Sequence, residues 1–259
     1  MSVDGTTITD PQINRVKTWA IATNNTLVET WCNVALDPTA DTALRNKDRA
    51  KVAAKYNDLW PDPQDTYTST SSWTCPDGVT LIAVECFAAG GTGGTSISAA
   101  GGGGGGGGAY ARVNALPVTP GTSYTVTVGA SAGADSWFGS TATVLAKGGS
   151  VGGNAALIAT PGAGGAGGNA AHCVGDVAWS GGNGSAGTTG AVGAGGGGAG
   201  EDGDGVDAAG TVAGAGGPFG GGNGAATGAG AVNGGGGGAA ALIAGTAGAG
   251  ARGCVQLYY

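Results

Sequence analysis

The side chains able to do chemistry in this chain are few and gathered. Residues 169–180 hold His172, Asp176 and Trp179, and a second stretch holds Glu201, Asp202, Asp204 and Asp207. Phe219 stands between Pro218 and Gly220 in a glycine-rich stretch. His172 is the only histidine, so no pair of imidazoles is available to a metal. The five cysteines include no C-x-x-C pair, which argues against a structural zinc site; small buried hydrophobes are favoured over disulfides. No G-x-x-x-x-G-K-[ST] phosphate loop occurs, and matches to G-x-G-x-x-G carry no information in so glycine-rich a chain. Residues 197–204, GGAGEDGD, resemble one calcium-binding nonapeptide repeat. They place Asp204 where an apolar residue belongs and occur once where several are needed, so a solvated acidic loop is the better reading. No metal, no cofactor and no catalysis are expected.

What remains is recognition. An exposed aromatic beside hydrogen-bonding groups suits a saccharide or a protein loop. His172, Asp176 and Trp179 are the leading receptor-binding candidates, followed by Glu201, Asp202, Asp204 and Phe219. The alternative is that Trp179 and Phe219 plug the ends of the region that carries them.

That region is built mainly of glycine and alanine. All but two of the 60 glycines, Gly5 and Gly78, lie beyond residue 87. Glycine costs the most backbone entropy to order, so the stretch is either a slack tether or something held by its own backbone. A tether mixes glycine with serine or charge. Residues 151–200 contain only Ser180, Ser185 and the charged Asp176, with an Ala, Val, Leu and Ile filler. Collagen is excluded because no third-residue glycine period holds and only four prolines follow residue 87. A parallel β-helix would repeat apolar strand positions, and none recur.

The remaining order is the extended three-residue helix otherwise typical of proline. It makes no internal hydrogen bonds, so its amides must pair with neighbours packed alongside. Glycine-rich runs recur at 162–168, 181–190, 193–200, 214–224 and 228–238, separated by short inserts. Alanines within them are expected where a helix faces outward. Residues 154–161 and 239–244 are apolar enough to be packing elements.

Flanking the glycine lies a β framework. Residues 79–88 form an apolar run of strand length, and 109–118, 124–129, 137–138, 141–146 and 253–259 follow as strands. Before it, residues 10–31 read as one helix capped by Asp10 with Pro11 in its first turn. A second helix opens at Asp37-Pro38 and reaches Trp60, with Val52, Tyr56, Leu59 and Trp60 as its apolar stripe. Arg45, Lys47, Arg49 and Lys51 form its solvated face, and Pro61 and Pro63 stop it. Residues 62–74 read as a connector running into a strand. The fold expected is mainly β with a packed polyglycine II lattice, preceded by a small α-helical segment: residues 1–65, then 66–259. The helices either pack on their own domain, or dock on a partner, or join copies of this chain into an oligomer.

Charge follows this division. The formal net charge is -7; residues 1–60 hold seven basic and seven acidic residues, so the rest carries all of it. Such a surface repels phosphate backbones, and nucleic acid is not an expected partner. The first ten residues lack the basic and apolar regions of a signal peptide, and no apolar run approaches the ~20 residues that span a bilayer. Synthesis as a soluble cytosolic chain is expected.

Several segments follow a known order: WTCPDGVTLIAV at 73–84, the glycines of 101–108, AYA at 109–111, TPGTSYTVTVG at 119–129, WFGS at 137–140 and GARGCVQLYY at 250–259. Together they resemble the glycine-rich domain common in bacteriophage tail fibre and tail tip proteins, over about residues 70–259. The glycine runs are also similar to the polyglycine II adhesins of tail fibre tips in T-even-like phages. The resemblance implies a virion structural protein whose inserts touch a host receptor, saccharide or outer-membrane protein. Residues 1–65, which lie outside the resemblance, would attach to another virion protein. Rival expectations are a capsid decoration, head fibre or baseplate subunit without a receptor role, and an ice-binding polyglycine II protein. The irregular inserts argue against the flat face that ice binding uses.

Overall fold

The computed structural model describes residues 8–59, 65–97, 99–156, 160–218, 220–234 and 247–259. Three helices come first: α1 Asp10–Ala22, α2 Thr26–Leu36 and α3 Thr42–Leu59. The single helix expected over 10–31 is broken at Thr23-Asn24-Asn25. Asn24 takes a left-handed φ of 55°, and the Asn25 side chain caps α2 by accepting from the Val28 amide. The N-cap of α1 is Thr9 rather than Asp10, in a capping box with Gln12, and Pro11 sits in the first turn as expected. Asp37-Pro38 is a turn, not a helix start. Asp41 accepts from the Ala43 and Leu44 amides and opens α3 four residues later. Val52 and Tyr56 are buried as the stripe requires. Arg49 leaves the solvated face to bind Asp10 at 3.0 Å and the Ile8 carbonyl. Trp60, Pro61 and Pro63 lie outside the described residues.

Two antiparallel sheets follow. The first runs β1 (Asp65–Tyr67), β9 (Cys254–Tyr258), β3 (Leu81–Phe87), β4 (Tyr110–Pro117), β8 (Val177–Trp179). The second runs β2 (Ser71–Thr74), β5 (Ser123–Thr127), β6 (Ser136–Phe138), β7 (Val144–Ala146). The expected strands are present within a few residues of their predicted ends. β8 falls inside the insert read as a recognition loop, and the 62–74 connector holds both β1 and β2.

Strand alternation sorts the first sheet into two faces. Val84, Cys86, Ala111, Val255 and Leu257 point at the second sheet and pack with Trp73, Val126, Phe138 and Val144. Ala83 and Tyr258 face the helices and join Ile13, Val16, Cys32, Val52 and Tyr56 in a second core. The helices therefore pack on their own sheet. No described helix is long and apolar enough to cross a membrane. All five cysteines are free thiols, four of them buried.

The loop from β3 to β4 carries the glycine run 101–108, followed by Ala109. Its amides donate every third residue to one neighbour, Gly103, Gly106 and Ala109 to the carbonyls of Gly153, Ser150 and Lys147 at 2.8–3.0 Å. Gly101, Gly104 and Gly107 donate to Thr188, Ser185 and Gly182. Its carbonyls accept in the same rhythm: Gly101, Gly104 and Gly107 from Gly162, Gly165 and Gly168, and Gly102, Gly105 and Gly108 from Gly193, Gly196 and Ala199. A Cβ on Gly104 would lie 1.9 Å from the Ala194 carbonyl oxygen, and one on Gly103 1.9 Å from that of Ala163. Glycine is required at both by close approach, not by turn geometry. Along 161–169 exposure itself repeats every third residue, with Ala163 and Ala166 outward. Ala194 and Ala199 are buried, so the outward rule for alanine holds only in part.

Candidate functional site

A short 3-10 turn, Ala170–His172, is capped by Asn169, whose side chain accepts from the Ala171 amide at 2.9 Å. His172 ends it, exposed. The chain then enters β8. Asp176 is exposed yet holds the neighbouring strand, because its Oδ2 accepts from the Asn114 amide at 2.7 Å. Trp179 is half-buried, packed against Phe87 and Tyr110, and its Nε1 donates to the Glu201 carbonyl at 2.9 Å.

The acidic stretch is more tightly engaged than a solvated loop would be. The Ser180 amide donates to Asp204 and the Asn183 amide to Asp207, both at 2.6 Å. The Thr9 hydroxyl donates to Asp202 at 3.1 Å. Glu201 reaches Arg15 at 3.4 Å. These carboxylates serve protein donors, and no three His, Cys, Asp or Glu among the described residues gather as metal ligands. Phe219 and residues 239–244 lie outside the described residues, as do 157–159.

Trp179, Glu201 and Asp202 meet at a cavity of about 220 Å³, together with Asn14, Arg15, Thr18, Arg112 and Val177. His172 and Asp204 do not line it. Asn14 and Thr18 are exposed on α1 and form its rim. The floor is charged. Arg15, 2% exposed, pairs with the fully buried Glu85 of β3, and Tyr258 donates to Glu85 at 3.1 Å. Arg112, 3% exposed, also belongs to the floor. Its Nε has no hydrogen-bond partner among the described residues, and neither does the buried Tyr110 hydroxyl.

This setting moves protons. Burial, then repulsion from Glu85, pushes the Glu201 carboxyl up to about 8 against the pull of Arg15 and Arg112. Burial also raises Asp202, which the Thr9 hydroxyl partly offsets. Burial works against charge on Arg15, but Glu85 holds it protonated. Burial raises Tyr56, Tyr110 and Tyr258 as well.

Arg15, Glu85 and Arg112 were missed by sequence reasoning. A signal existed: Glu85 interrupts an apolar strand, and Tyr110, Arg112 and Asn114 alternate with Ala111, Val113 and Ala115. A polar set on one face of an otherwise apolar strand marks a second, polar interior.

Two stretches have G-x-S-x-G spacing, 129–133 and 148–152. Neither leads from a strand into a helix, the setting a nucleophile elbow needs. Residues 65–259 match the family model described as a glycine-rich domain. No curated protein matches the chain.

Proposed function

The chain belongs to the glycine-rich domain family, and from that premise we propose that it is a bacteriophage virion structural protein, a tail fibre or tail tip adhesin that binds a host surface receptor without turnover. The glycine block is a polyglycine II lattice. The observation that carries this reading is the third-residue rhythm of hydrogen bonds around residues 101–109. A lattice bonded laterally through its main chain is a stiff platform, and stiffness is what a receptor-facing surface needs when its side chains are few.

The inserts are the contact surface: His172 and Asp176 are exposed at one and Asp204 at the next, with the half-buried Trp179, Glu201 and Asp202 behind them; Phe219 remains a candidate from the sequence alone. The attachment surface is on the helices, where Ile21, Leu27 and Leu44 are 57%, 61% and 48% exposed. Large apolar side chains left in water on three consecutive helices fit a second virion protein, or another copy of the chain.

Immunogold electron microscopy of the particle that carries the chain is expected to label the tail tip. Purified chain is expected to compete with particles for host cells, and a substitution at His172 to weaken that competition. Label on the head, or no competition, refutes the adhesin. Hydrogen exchange tests the lattice separately: the amides of Gly103, Gly104, Gly106 and Gly107 should exchange only through global unfolding. Exchange within seconds would refute it.

A further inference from the structure

We infer that the cavity between α1, β4, β8 and the 201–202 turn is a binding site for a small carboxylate-bearing ligand, gripped by Arg112 and laid against Trp179. This does not depend on the virion reading. A guanidinium is costly to bury unless its donors are met. Arg112 is 3% exposed, its Nε lacks a partner, and no carboxylate of a described residue lies within ion-pair distance of it. Every other charge lining the cavity has a partner on the protein: Arg15 has Glu85 and Glu201, and Asp202 has Thr9. One planar donor array therefore remains, and it matches one carboxylate.

The rest of the lining narrows the ligand. Glu201 and Asp202 disfavour a dianion such as a phosphate monoester, whereas one carboxylate can accept from the Arg112 donors that no described protein group fills. Trp179 and Val177 offer an apolar wall, and the Thr18 hydroxyl and Asn14 amide offer polar contacts at the rim. The volume, about 220 Å³, is below the usual range of drug-sized pockets, which selects something the size of one sugar or one amino-acid residue. That carboxylate has two sources: a free acid such as a uronate, or the end of a peptide.

Binding should depend on pH through Glu201. The charged and titratable groups around it are Arg15 of α1, Glu85 of β3, Tyr110 and Arg112 of β4, Tyr56 of α3, Tyr258 of β9 and Asp202. Neutral Glu201 tolerates an incoming anion, while ionised Glu201 repels it, so affinity should fall as pH rises through about 8.

Calorimetric titration of the full chain with glucuronate, glucose and an N-acetylated dipeptide with a free C-terminal carboxylate tests this. At pH 6.5 at least one carboxylate is expected to bind about tenfold or more tighter than glucose. Which one binds identifies the source. Thr18→Trp blocks the mouth without touching the buried charges and should abolish binding. Arg112→Gln should do the same, with folding checked by circular dichroism. Glucose binding equally well, no carboxylate binding at tens of millimolar, or full binding by Thr18→Trp would each overturn the proposal.

Discussion

The β sandwich and the glycine block solve the same problem by opposite means. Between the sheets, side chains exclude water: Trp73, Phe138, Val84 and Leu257 interlock while the two sheets' backbones stay ~10 Å apart. Along residues 101–108 no side chain exists to bury, and main-chain amides meet carbonyls from several neighbours at 2.7–3.0 Å. The first region rests on volume and the second on its absence. Volume can be traded among neighbours. A missing Cβ cannot, because the intruding atom would meet a carbonyl fixed by its own hydrogen bond.

The comparison is most sharply tested where the sandwich's outer face is polar. Arg15→Met leaves Glu85 buried without its cation and should cost about 3–5 kcal/mol in chemical denaturation. A loss well under 1 kcal/mol would mean that helix packing, not this pair, seals that face. Next comes the glycine block. Gly104→Ala drives a Cβ to 1.9 Å from the Ala194 oxygen and should cost ~1–3 kcal/mol, whereas Ala163→Gly, on the outward side, should cost less than ~1 kcal/mol. Equal effects would erase the distinction between inward and outward positions. In the sandwich, Ile82→Val should cost only about 0.5–1.5 kcal/mol, the mark of a core that repacks.

The last effect is electrostatic and is spread over several pH units. Glu201 binds its proton more tightly folded than unfolded, from the usual 4.5 up to about 8. Its contribution to stability is therefore complete below about 4.5 and is lost as pH rises through about 8. Glu201→Gln should flatten that decline, which runs at about 1 kcal/mol per pH unit between about 4.5 and 8. An unchanged pH profile of thermal unfolding would locate the titration elsewhere.

How much of this was legible differs between the two regions for a physical reason. Period-two and 3.6-residue patterns mark side-chain cores, so β3, β4, β5 and α3 stood out. Where local chemistry overrides the pattern the reading slipped. Asn24 ends α1 because it tolerates a positive φ, and Asp41 rather than Asp37 supplies the cap. β8, three residues long, has no periodicity to see. Site residues divided likewise. Trp179, Glu201 and Asp202 were noticed as rare functional groups and do meet at the cavity. Arg15, Glu85 and Arg112 were absorbed into a helix face and two strands. Pairing them needs the knowledge that α1 crosses β3 and β4, which no local pattern carries.

Because β9 lies between β1 and β3, the larger sheet stays split until residue 258 has left the ribosome. Any product cut short before residue 254 lacks a middle strand and presents two raw edges to cellular proteases. Chains that lack β9 should therefore be cut by proteases faster than chains that carry it.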